Sequence, residues 1–287
     1  MSSPSETAAP RPLPWTTALW FGILLLLCYA PVLARLVWQW STDEDMGHGF
    51  FVPVVAGYIA WQKRQQLREI APAPSWWGMV LIVYGAVQLF VATLGAELFL
   101  ARTAFVISLG GVVLFLGGFA YLRLFFFPWL LLFFMVPIPA IVYNQITFPL
   151  QILATRMAEA ALAVFGVPVL REGNILELAS QRLSVVEACS GIRSLLSLSF
   201  LSLVYAWFFD KKVWMRFVLL IATVPIALVA NASRVTITGL LTEFKPELAE
   251  GFFHTASGWV IFMVALVILV VFHQFVNKVY RLFRAGQ

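Results

Sequence analysis

Apolar residues run along this chain in blocks of about twenty, a length that at ~1.5 Å per residue covers a hydrocarbon core of about 30 Å. Blocks at 15–38, 76–94, 98–119, 122–142, 194–209, 213–230 and 258–275 predict membrane-spanning helices, and a shorter apolar stretch at 50–61 predicts one more. A tight turn near Tyr121–Arg123 joins the fourth and fifth spans. Residues 144–165 keep an apolar helical pattern but carry Arg156 and Glu159, which predicts an interfacial or half-inserted helix. Between 168 and 187, two β-prone pieces flank a polar Ala-Ser-Gln-Arg turn, and a small hairpin-like cap follows from them. Residues 1–14 are rich in Ser, Pro and Ala and predict a disordered tail. The apolar run behind them is too long for a cleavable signal peptide, and no small-residue cleavage site follows it. The expectation is an all-α polytopic membrane protein of about eight transmembrane helices. It forms one integral domain, 15–287, with a small cap before the sixth span and polar loops at 166–195 and 231–257.

Composition agrees: 61% of residues are hydrophobic and 11% charged, with a mean hydropathy of +0.90. The net charge of +5 does not point to nucleic acid, because Lys and Arg fall in short clusters between apolar runs, as membrane anchors do. Charge also orients the chain. With a cytoplasmic amino terminus and eight crossings, the inner segments hold Arg11, Lys63, Arg64, Arg68, Arg123, Lys211, Lys212, Arg216, Lys278, Arg281 and Arg284 against Glu6, Glu69 and Asp210. Both termini are then cytoplasmic, and the cap and the two polar loops are extracytoplasmic. If the short second span fails to cross, the amino terminus flips. Both loops still oppose the basic clusters beside them.

Those loops carry the candidate chemistry. Cys189 stands immediately ahead of a predicted helix, whose positive amino end and free N–H groups favour a thiolate. Cys28 is a small apolar residue within the first span, and the two cysteines suggest neither a disulfide framework nor metal-ligand spacing. Gly191 allows close approach of backbone to substrate, and a free N–H at the helix start can serve an oxyanion. Asn231 and Arg234 are three residues apart, hence on one helical face at the outer end of the seventh span. His254 opens the eighth span at the same depth. Each has an ordinary reading: a structural thiol, a snorkelling arginine, a histidine of the aromatic belt beside Phe252 and Phe253. Their coincidence at three outer span ends points to a thiol hydrolase or acyltransferase. A transporter lined by Arg and His, or a noncatalytic scaffold of an export system, are the alternatives. Against a transporter, the spans carry almost no charge in their middles and no inverted repeat is visible.

Several blocks together resemble the exosortase/archaeosortase family of membrane transpeptidases. They are Arg-Glu-Gly-Asn-Ile-Leu-Glu-Leu at 171–178, Val-Val-Glu-Ala-Cys-Ser-Gly-Ile-Arg-Ser-Leu at 185–195, Ala-Asn-Ala-Ser-Arg-Val at 230–235 and Phe-His-Thr-Ala-Ser-Gly at 253–258. His48-Gly49-Phe50 and Val136-Pro137-Ile138-Pro139 also look like family landmarks, so the likeness covers nearly the whole chain. Met46-Gly47 departs from the Tyr-Ser pair that often precedes the His-Gly, and the extra carboxy-terminal soluble domain of some bacterial members has no counterpart. The resemblance implies Cys189 as nucleophile, Arg234 as transition-state stabiliser and His254 as general acid/base, with no metal and no cofactor. It implies as substrates secreted proteins ending in a Pro-Glu-Pro type motif, an apolar helix and a basic tail. It further implies a place in protein sorting and exopolysaccharide export at the cell inner membrane. The acceptor is a lipid, a polysaccharide or water, and the oligomeric state stays open. Supporting roles fall to Ser190 or Gly191 at the oxyanion, Asn231 orienting Arg234 or His254, Glu187 pairing with Arg193 to hold the loop, and His48 lining the substrate groove or simply sitting in a loop.

Overall fold

The computed structural model describes residues 15–179, 181–184, 191–244 and 252–285. The tail 1–14, Glu187, Cys189 and Ser190 lie outside them. Nine helices are described, with a small sheet: α1 (Trp15–Thr42), α2 (Phe51–Gln62), α3 (Arg64–Glu69), α4 (Trp76–Leu94), α5 (Leu98–Leu131), α6 (Ala140–Val164), α7 (Gly191–Phe209), α8 (Val213–Phe244) and α9 (Phe252–Ala285). Among the described residues, five helical stretches are long and apolar enough to cross a membrane, including Leu98–Met135. The polytopic all-α architecture follows from them. By contacts the chain forms two compact units, one up to Pro139 and one from Ala140 onward.

In the first unit, α4 and α5 pack backbone to backbone because Gly78 and Gly85 leave room: a Cβ at either would collide with Phe115 or Ser108. Against this pair α1 sets Leu25 and Tyr29, and the Tyr29 hydroxyl donates to the Gly85 carbonyl (3.2 Å) and meets the Ser108 hydroxyl (2.9 Å). The stretch α5 is in fact a helical hairpin. The Trp129 Nε1 donates to the Val106 carbonyl at 2.7 Å, although in a straight helix 23 residues would hold them about 34 Å apart. The reversal is at Gly118, whose φ of +78° is left-handed and whose missing Cβ leaves room for the Ala73 carbonyl. The expected turn near Tyr121–Arg123 is therefore real but three residues earlier, where the glycine permits it. The returning strand of the hairpin stops at a 3-10 turn, Leu132–Met135, rather than running to 142, because Pro137 and Pro139 cannot continue it. The helix α2 covers only about 18 Å, so it does not cross a bilayer by its own length. A second 3-10 helix, Glu44–Phe50, takes the place of the loop expected between the first two spans.

In the second unit, α6 runs in the same direction as α8 and alongside it. Leu162 packs against Gly239 near one end, and Thr147 to Gln151 share a groove with Val224 to Asn231 nearer the other. It thus stands upright against α8 rather than lying flat in the interface, since Ala154, Thr155, Ala158 and Leu162 give it a small-residue face that α8 covers. The cap is a three-stranded antiparallel sheet, β1 (Val169–Glu172), β2 (Ile175–Leu178) and β3 (Arg182–Ser184). The first β-prone piece already contains a hairpin, because Gly173 adopts φ +65° between Glu172 and Ile175, which pair. Leu176, Leu178 and Leu183 bury against Leu162 and Val235, Arg171 pairs with Glu159 of α6 (2.7 Å), and the Gln181 amide donates to the Thr242 hydroxyl of α8 (3.2 Å).

Opposite the cap, α7, α8 and α9 are tied at the turn between α7 and α8. Asp210, 8% exposed, accepts from the backbone N–H of Lys212 (2.8 Å), from the Asn277 amide (3.0 Å) and from the His273 Nε2 (3.1 Å), while the Tyr205 hydroxyl donates to His273 Nδ1 at 3.0 Å. The Lys212 ammonium lies 3.8 Å from the carboxylate. Burial pushes the Asp210 carboxyl up, but the Lys212 N–H, the Asn277 and His273 hydrogen bonds and the Lys212 charge outweigh it and lower its pKa to about 2.

Two predictions follow from this fold. Replacing Gly118 with Val forces a branched side chain into left-handed backbone against Ala73 and abolishes recovery of monodisperse protein in detergent. Gly22→Val, which meets nothing within 4 Å, leaves recovery unchanged. Asp210→Asn costs roughly 2 kcal/mol at neutral pH. A lowered pKa stabilises above the unfolded value of 3.8 and loses its effect as pH falls through about 2, so the difference in thermal unfolding between the two chains closes over that window.

Candidate functional site

The second unit holds a cleft between α7, α8 and α9, lined by Leu198 of α7, Ala227, Asn231 and Arg234 of α8, and Gly258, Phe262 and Ala265 of α9. Its floor is the apolar seam of Leu198, Ala227, Ala265 and Leu269. Asn231 and Arg234 share one face of α8, as their spacing predicts, but not at the edge of a loop. The helix continues to Phe244, because Ala232, Val235, Thr236 and Gly239 keep a buried face at helical spacing and no proline intervenes before Pro246. The expected loop 231–257 is thus helical over most of its length, with α9 opening at Phe252 rather than at Gly258. From Val213 to Arg234 the rise is about 32 Å, which puts the arginine at one edge of a bilayer that α8 enters at its start.

Arg234 is half-buried, and its Nε is buried with no hydrogen-bond partner among the described residues. The guanidinium lies against Gly258: a Cβ at that glycine would sit 3.2 Å from the guanidinium carbon. Any larger residue at 258 would press on the arginine. His254 lies one helical turn before Gly258, on the same face of α9 by helical periodicity. Gly191 is the first residue of α7 and Arg193 lies in its first turn. Leu195, one turn on, lines a second groove together with Asn231.

Asn231 therefore stands on the ridge between two openings. The second runs between α6, α7 and α8 and is lined by Thr147, Leu150, Gln151, Leu195, Val224, Ala227, Leu228 and Asn231. Thr147 and Gln151 went unmarked in the sequence, although two polar residues four apart within an apolar helix were the available signal. His273, to which the sequence assigned nothing, is joined to Asp210 across 63 positions, a separation that no local pattern reveals. His48 belongs to the first unit, where its Nε2 donates to the Phe134 carbonyl at 3.2 Å and ties one 3-10 helix to the other.

The arrangement thus gathers a permanent cation and an amide around one cleft between α7, α8 and α9, with the helix starts of α7 and α9 within two turns of its lining residues Leu198 and Gly258. A fixed guanidinium of this kind can hold a developing oxyanion, and the open N–H groups at a helix start can assist it.

Among curated proteins and solved structures nothing matches the chain. Residues 40–271, which include α2 to α8, the cap and α9 as far as Val271, match the family described as transmembrane exosortase. The chain belongs to the transmembrane exosortase family, a family of membrane enzymes associated with the processing of secreted proteins that carry sorting signals.

Proposed function

We propose that this protein is a membrane-embedded cysteine transpeptidase. It cleaves secreted proteins at a carboxy-terminal Pro-Glu-Pro type signal followed by an apolar helix and a basic tail, and passes the acyl group to a lipid, a polysaccharide or water. The observation that carries this is the cleft that Leu198 of α7, Arg234 of α8 and Gly258 of α9 share, with His254 one helical turn before Gly258 in the sequence of α9. Cys189 stands two positions before Gly191, the first residue of α7. The segment that carries it is bounded by β3, which the cap holds to α8, and by α7.

In this mechanism the Cys189 thiolate attacks the scissile carbonyl carbon, and the carbonyl electron pair moves onto oxygen. Arg234, with the N–H of Ser190 or Gly191, binds that oxyanion. Collapse of the intermediate breaks the C–N bond, and the His254 imidazolium gives its proton to the departing amine. The neutral imidazole then takes a proton from the acceptor hydroxyl, amine or water as it attacks the thioester, and the thiolate is released. Arginine has no lone pair to accept the imidazole proton, so it does not orient His254 as a carboxylate would. Asn231, on the Arg234 face, supplies an amide that can orient the guanidinium, and Glu187 paired with Arg193 steadies the loop. The protein sits in the inner membrane with its carboxy terminus cytoplasmic and the cleft towards the periplasm, as the basic clusters beside α8 and at the end of α9 direct.

A reporter bearing the motif, an apolar helix and a basic tail tests this when co-expressed with the protein. The wild type shortens it, while Cys189→Ala and Cys189→Ser leave it intact at equal abundance. Arg234→Lys keeps the charge but loses the planar fork, and slows cleavage by about 10²-fold or more. Processing by Cys189→Ala at the wild-type rate would refute the thiol mechanism, and the mass of the shortened product identifies the acceptor.

A further inference from the structure

The groove between α6, α7 and α8 has no role in the chemistry above, yet it meets the Arg234 cleft at Asn231. Along α8 it is lined by Asn231, Leu228, Ala227 and Val224, a stripe at helical spacing that descends about 10 Å from the candidate site, away from the cap. Along α6 it is lined by Thr147, Leu150 and Gln151. Gln151 and Asn231 are both half-buried, and neither side-chain amide makes a hydrogen bond among the described residues. Their polar atoms are accessible rather than sealed in, so both amides are open to a ligand that enters this largely apolar groove. Each offers a donor and an acceptor, which is what an extended peptide backbone presents in return.

We propose that this groove receives the leaving half of the substrate: the extended peptide just carboxy-terminal to the scissile bond, on its way down to its own membrane helix, with Gln151 and Asn231 bonded to its backbone. The inference rests on the peptidase reading. Direction decides between the two halves. The acyl half must stay with the secreted protein, on the cap side. The leaving half must turn into the bilayer, and the groove runs that way from Arg234. At about 3.3 Å per residue, 10 Å of groove holds three residues of extended chain. An acyl chain of lipid would fill the apolar wall but leave both amides unsatisfied.

The test places a photoreactive amino acid at Leu150 or at Leu228 in a Cys189→Ala chain, with Val267, 59% exposed on α9, as a lipid-facing control. Expected are adducts to the reporter from 150 and 228, mapped by mass spectrometry to the three residues after the scissile bond, and none from 267. In the active chain, Gln151→Leu raises KM for the reporter by up to about 10-fold with kcat within twofold. Wild-type processing of the same reporter is measured alongside. If the wild type cleaves it but the probes capture only lipid, or capture residues before the scissile bond, the groove assignment is overturned and the peptidase reading survives. If the wild type leaves the reporter uncut, the peptidase reading fails and this inference falls with it.

Discussion

A carboxylate taken out of water must find its partners in the protein, and Asp210 finds them in its own turn, at Lys212, and on α9, 63 and 67 residues away in sequence. Losing any one would leave charge or hydrogen-bonding capacity stranded in a low-dielectric setting, a larger penalty than the loss of one contact. The network therefore ties the turn between α7 and α8 to α9 at one level. From Asp210 back to Gly191, and from His273 back to His254, the separation is nineteen residues in both cases, about 28 Å of helix. The start of α7 and the His254 turn of α9 are carried to a common height by equal lengths of rigid helix. Arg234 reaches a comparable height on α8, whose start lies beside the same tie.

At that height the helices must approach closely, and small residues let them. In a bilayer no hydrophobic effect draws helices together, so close packing of backbones has to do it. In the first unit Gly78 and Gly85 bring α4 onto α5. In the second, Gly258 performs a different service: it clears the space in which the Arg234 guanidinium lies, with His254 one turn away. Among the described residues the arginine meets no carboxylate, and it is half-buried. Such a cation at a membrane edge suits the oxyanion role proposed for it, and the Asn231 amide on the same face lines a groove that leads along α8 away from the cap.

Much of this is legible in the sequence. The length of each apolar block, set against the thickness of a bilayer, determined the polytopic helical class, because a membrane leaves the backbone no other way to satisfy itself. The spacing of Asn231 and Arg234 determined that they share a face, since helical periodicity is local, and the motif around Cys189 pointed to the family. Helix ends are less local. The reversal at Gly118 depends on which residue tolerates left-handed backbone against Ala73, and α8 runs on past Arg234 because the cap and α6 bury the face that Ala232, Val235 and Gly239 present. Only the tertiary structure decided that α6 stands beside α8, that Gln151 and Asn231 share one groove, and that His273 closes on Asp210. Those contacts join residues tens of positions apart, and each depends on the distances and angles at which packed helices meet, which no window of local sequence contains.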